Sequence, residues 1–153
     1  MKKCFIAVLI AILANVTMAS AAPTNANRPL HLLGKMEANL WESAAAVYFY
    51  IADHTRKSNR IALSDYKDDI ETMDRTIGAM ESLNLTNKEK TAIAKIKKSW
   101  LGVKAMGNEL ININVTQEKA APISDSKMHR YWYAVEELDN LIDEEIRAIA
   151  GDH

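Results

Sequence analysis

From Leu30 onward the chain repeats one pattern four times, with apolar residues three and four positions apart and polar residues between them. Leu33, Met36, Leu40, Ala44, Val47 and Ile51 form the first stripe, and Leu63, Tyr66, Ile70, Met73, Ile77 and Met80 the second. Ile93, Ile96, Trp100, Val103, Gly107 and Leu110 form the third; Met128, Trp132, Val135, Leu138, Ile142, Ile146 and Ile149 form the fourth. A period near 3.5 holds one face of an α-helix inward. No stretch alternates with the period of two that a half-buried strand requires.

The helix ends are predicted from local chemistry. Pro29 suits a first turn, so helix one is expected from about Leu30 to Arg56, followed by a polar turn over Thr55–Asn59. Ser64 reads as an N-cap, with Asp65, Asp68 and Asp69 at the positive end of helix two, which closes near Leu83. Thr86-Asn87-Lys88-Glu89 reads as a capping box opening helix three. That helix is expected to fray through Asn112, Asn114 and Val115 into a loop over Thr116–Ile123. Helix four starts at Ser124 or Ser126 and ends at Gly151. Helices of roughly 20 to 29 residues joined by short connections run antiparallel to their neighbours. The expected fold is all-α, an up-down-up-down four-helix bundle over residues 30–151.

Ahead of the pattern lie Lys2 and Lys3, an apolar run from Phe5 to Val16, and the small residues Ala19-Ser20-Ala21. This is the composition of a bacterial export signal over residues 1–21, too short to span a ~30 Å hydrocarbon core comfortably. Residues 22–29 then form a flexible leader, and the protein is expected to be periplasmic or secreted, without a membrane span after cleavage. Removing 21 of 153 residues leaves 132, with 17 basic side chains against 20 acidic ones. That balance excludes the basic surface of a nucleic-acid binder. The single cysteine, Cys4, lies before the apolar run, so the mature chain carries no disulfide, no Cys-ligated metal and no lipid anchor at that residue. Asn84-Leu85-Thr86 and Asn114-Val115-Thr116 fit a glycosylation pattern, which a bacterial signal makes coincidental.

The segment Leu33–Ser43, running into Ala46–Ile51, resembles the first helix of bacterial extracytoplasmic sensor bundles. So does Leu83–Lys90 followed by Ile93, Ile96 and Trp100. These bundles are the ligand-binding regions of methyl-accepting chemotaxis receptors and related sensor histidine kinases. The resemblance implies a sensor-like role without enzyme activity, a small-molecule ligand, a receptor or kinase partner and a homodimer. It departs from the family in lacking a second membrane helix, a HAMP linker and a signalling domain, so the expectation is a free bundle acting alone or through a partner. In this family arginines near the dimer interface grip anionic ligands, and Arg56, Arg60, Arg75 and Arg130 are the basic candidates.

Other chemistry is sparse. An aromatic layer of Trp41, Tyr48, Trp100 and Trp132 could line a pocket for a small organic ligand, or simply fill the core. His54 and His129 fall toward one end of the bundle and are weak candidates for a shared metal site. A haem bundle of the cytochrome b562 kind would need a methionine at the start of helix one and a histidine at the end of helix four. Met36 fits, but His129 lies at the wrong end and His153 in a tail, so no cofactor is expected. No Glu-x-x-His, Gly-rich phosphate loop, zinc spacing or catalytic triad occurs. The acids of helix four, Glu136 to Glu145, read as a solvated face. A haem- or metal-binding bundle and a structural or chaperone-like helical protein are the alternatives to the sensor.

Overall fold

The computed structural model describes residues 28–52, 56–116 and 125–151. These form four helices: α1 (Arg28–Ala52), α2 (Arg56–Glu81), α3 (Asn87–Thr116) and α4 (Asp125–Gly151). No strand occurs among the described residues. The expected export signal, most of the leader, His54, His153 and the loop after Thr116 lie outside them. Each helix packs on its sequence neighbour, α4 closes against α1, and α1 also meets α3 across the short diagonal. Among the described residues the backbones of α2 and α4 do not approach one another closely, whereas α1 and α3 each pack on all three other helices of this all-α four-helix bundle.

The core is the set of apolar stripes. Leu33, Met36, Leu40, Ala44 and Val47 of α1 meet Met73, Ile77 and Met80 of α2, Ile93, Ile96, Trp100 and Val103 of α3, and Val135, Leu138 and Ile142 of α4, all buried. Three buried polar side chains bond within their own helix. Asn39 donates to the Lys35 carbonyl at 2.6 Å, Ser43 to that of Leu40 and Thr76 to that of Thr72. Such bonds cancel most of the cost of burying an amide or a hydroxyl. The α2–α3 turn is closed by the Leu83 N–H on the Met80 carbonyl. The capping box forms in both directions. The Thr86 N–H donates to Glu89 Oε2 at 2.6 Å, and the Glu89 N–H to Thr86 Oγ1 at 3.3 Å.

Two expectations are corrected. The predicted turn over Thr55–Asn59 is helical from Arg56 onward, so Ser64 lies inside α2 rather than at its cap. Arg56 to Leu63 contains no glycine or proline to stop a helix, and polarity alone does not break one. In α4, Tyr131 rather than Trp132 occupies the core: Tyr131 is 1% exposed and Trp132 39%. A seam of period 3.5 can step back from Val135 by three or by four, and Gly107 of α3 decides which. A Cβ there would sit 2.7 Å from the Tyr66 hydroxyl and 3.4 Å from Cε2 of Tyr131. The missing side chain is the notch into which both tyrosines fit. The Tyr66 hydroxyl, 3.2 Å from both the Lys104 carbonyl and Asn108 Oδ1, has one proton to share between them. Burial pushes its ionisation up to about 12. The Tyr131 hydroxyl is buried with no partner, a cost of roughly 1–3 kcal/mol that the packing of its ring has to offset.

The notch has a measurable consequence. Gly107→Ala gains about 1 kcal/mol of helix propensity but forces a buried, hydrogen-bonded ring aside, at a cost of about 1–3 kcal/mol. Urea unfolding should show a net loss of about 1 kcal/mol. Gly102→Ala on the same helix, with nothing within 4 Å of its new methyl, should gain up to about 1 kcal/mol. Equal effects at the two positions would contradict the packing described.

Candidate functional site

The outward turn of Trp132 brings it to Trp41 of α1, ring centroids 5.7 Å apart and planes at 65°. This edge-to-face geometry is the one aromatic quadrupoles favour. The Trp41 indole N–H donates to Asp139 Oδ1 at 2.8 Å, which fixes the ring across the α1–α4 seam. Tyr48 lies two turns beyond Trp41 on the same face of α1 and is 54% exposed. Its ring meets the exposed Phe49 edge-on at 6.1 Å. Three of the four aromatic candidates thus share one outer strip. Below it, Glu37 is held above the usual carboxylate range by burial and by Asp139 and Asp143 of α4.

Trp100 stands apart from the strip. It is 1% exposed, and its indole N–H donates to Asp74 Oδ1 of α2 at 2.7 Å, while Lys104 pairs with the other oxygen of that carboxylate. It pins α3 to α2 and lines no surface. The arginines are also divided. Arg60 is exposed on α2, and Arg130 is exposed on α4 beside a shallow cavity of about 150 Å³ shared with Met106, Glu109 and Lys127. The backbones of their helices do not approach one another closely. The side chain of Arg56 lies outside the described residues. Arg75 bonds the Thr72 hydroxyl within α2. His129 is exposed, Met36 is wholly buried, and among the described residues no three His, Cys, Asp or Glu side chains converge as metal ligands.

One feature escaped the sequence reading. Between α1 and α2 runs an open groove of about 660 Å³ with a floor of Ala45, Ala46 and Ala62, and with Phe49 and Ile61 at one end. Its rim carries Glu42, Asp65, Asp68 and Asp69. Because α2 begins at Arg56, the three aspartates sit well inside the helix and gain nothing from its dipole. Burial, then Glu42, Asp65 and Asp68, push Asp69 up to about 6. The available signal was that Phe49 and Ile61 are large apolar residues lying off their helices' stripes.

An acid whose folded pKa is raised binds more protons folded than unfolded. Its presence therefore lowers stability as pH rises from about 4, the unfolded value, through 6. Asp69→Asn should stabilise the protein at pH 7 by on the order of 1 kcal/mol after solvent screening, with the gap closing toward pH 4. Urea midpoints at the two pH values check this, and a gap independent of pH would refute it.

Comparison with known proteins agrees with this architecture. A family model described as a four helix bundle sensory module for signal transduction matches residues 24–147. No curated protein and no solved structure matches the chain. On a match of that extent, the chain belongs to the family of four-helix-bundle sensory modules for signal transduction.

Proposed function

We propose that this sensory module works outside the cytoplasm, released by cleavage after Ala21, and that it binds a small organic molecule on the α1–α4 aromatic strip. Signal transduction, rather than catalysis, is the business of its family. No described helix is long and apolar enough to cross a membrane. On this reading it reports to a membrane receptor or kinase and pairs with a second copy along the flank of α1 that carries Tyr48.

The observation that carries the reading is the Trp41–Trp132 pair. The core is filled without Trp132, which is 39% exposed yet held edge-on against a tryptophan that is itself fixed by Asp139. Rigid, part-exposed rings with polar groups beside them suit recognition of a flat organic ligand. Surface aromatics without a packing role otherwise only add to the risk of association.

A thermal-shift screen of amino acids, organic acids and aromatic compounds tests the proposal. A native-state ligand at 100 times its Kd stabilises by about 2.7 kcal/mol, and Trp132→Ala should abolish the shift while leaving the unliganded melting temperature within a few degrees. N-terminal sequencing of the exported protein checks cleavage, and light scattering checks the dimer. No shift with any compound and a monomeric protein would defeat the reading.

A further inference from the structure

We propose that the groove between α1 and α2 docks a basic amphipathic helix of a partner protein. The groove adjoins the aromatic strip, since Phe49 at its end meets Tyr48 edge-on, but neither Trp41 nor Trp132 lines it, so the proposal does not depend on the ligand assigned there. Glu42 to Phe49 and Ile61 to Asp69 cover eight and nine residues, about 10–12 Å of helix, or two turns. The alanine floor allows a third helix axis to approach within the 8–10 Å of ordinary helix packing. Phe49 is 61% exposed and Ile61 53%, and together they offer an apolar end for the partner's own apolar residues.

Charge selects the occupant. Four carboxylates face the groove, Glu42 from α1 and Asp65, Asp68 and Asp69 from α2, and among the described residues no lysine or arginine pairs with any of them. Partial burial and the charges of Glu42, Asp65 and Asp68 make ionisation of Asp69 costly, a cost that lysine or arginine side chains of a docked helix would relieve. A symmetric second copy would instead set the four carboxylates against their own images. An anionic membrane surface is repelled for the same reason. The whole chain carries a net charge of only −1, so the attraction is local to the groove rather than a general pull on cations. An apolar row flanked by basic residues is the helix-in-groove mode of recognition.

The probe is a fluorescein-labelled 18-residue peptide with leucine along one helical face and lysine along its borders. Its controls are a peptide of the same composition without a face, a glutamate counterpart, and spermidine. Fluorescence anisotropy should show saturable binding of the first peptide alone. Phe49→Ala, Ile61→Ala and the double variant Asp65→Asn/Asp69→Asn should each weaken binding by about tenfold or more. The double variant should also flatten the salt dependence, and wild-type binding should weaken from pH 7 to pH 5. Glu137→Gln on α4 should leave it unchanged. The substituted groove side chains are exposed or, at Asp69, half-buried, and cooperative circular-dichroism melts at or above the wild-type midpoint establish that the variants fold. Equal binding of the faceless peptide, displacement by spermidine, unaltered affinity in the groove variants, or no binding of the leucine–lysine peptide would each overturn the proposal.

Discussion

The absence of one side chain at Gly107 decides which way the fourth helix faces. Tyr66 of α2 and Tyr131 of α4 both reach into that space on α3, and a methyl group there would lie 2.7 Å from the first and 3.4 Å from the second. With Tyr131 in the seam, Trp132 one residue later is rotated about 100° away from it. It then meets Trp41, and the aromatic strip on the α1–α4 face follows. The strip is a consequence of core packing on the far side of the same helix. A seam set by a notch is discrete, because a close-packed interior does not deform continuously.

The tryptophans show how one residue type takes two roles under the same chemical rule. Each indole N–H of Trp41 and Trp100 ends on an aspartate of a neighbouring helix, Asp139 and Asp74 respectively. Such bonds keep a large ring from burying an unsatisfied donor. Around Trp100 the ring is enclosed and Lys104 neutralises the aspartate, so the unit is structural. Around Trp41 the unit opens to the surface, with Glu37 and Asp143 adding charge beneath it. α1 therefore presents an aromatic surface toward α4 and an acidic, apolar-floored one toward α2, while its inner face packs into the core.

The helices, their stripes and the Thr86–Glu89 capping box were legible in the sequence because each rests on interactions within a few residues. The choice between Tyr131 and Trp132 was not, since both satisfy the period within α4 and the deciding notch lies on another helix. The start of α2 was misread because a polar run without glycine or proline carries no stop signal, and that error hid the groove. Asp65, Asp68 and Asp69 looked like dipole partners of a helix end, when they are mid-helix carboxylates on the rim of a groove shared with Glu42. The family was recognisable from the residues of helix one and the α2–α3 junction. The dispersal of the candidate arginines was not, because it follows from α2 and α4 lying on the long diagonal.

The central claim is that Gly107 seats Tyr131 inward and thereby turns Trp132 outward onto Trp41. An isotope-edited NOE experiment on the folded protein reads this directly. The account predicts cross-peaks from the Gly107 Hα protons to the rings of both Tyr66 and Tyr131, and between the indole rings of Trp41 and Trp132. Cross-peaks from Gly107 to the Trp132 ring, with Tyr131 showing none to the core, would contradict it.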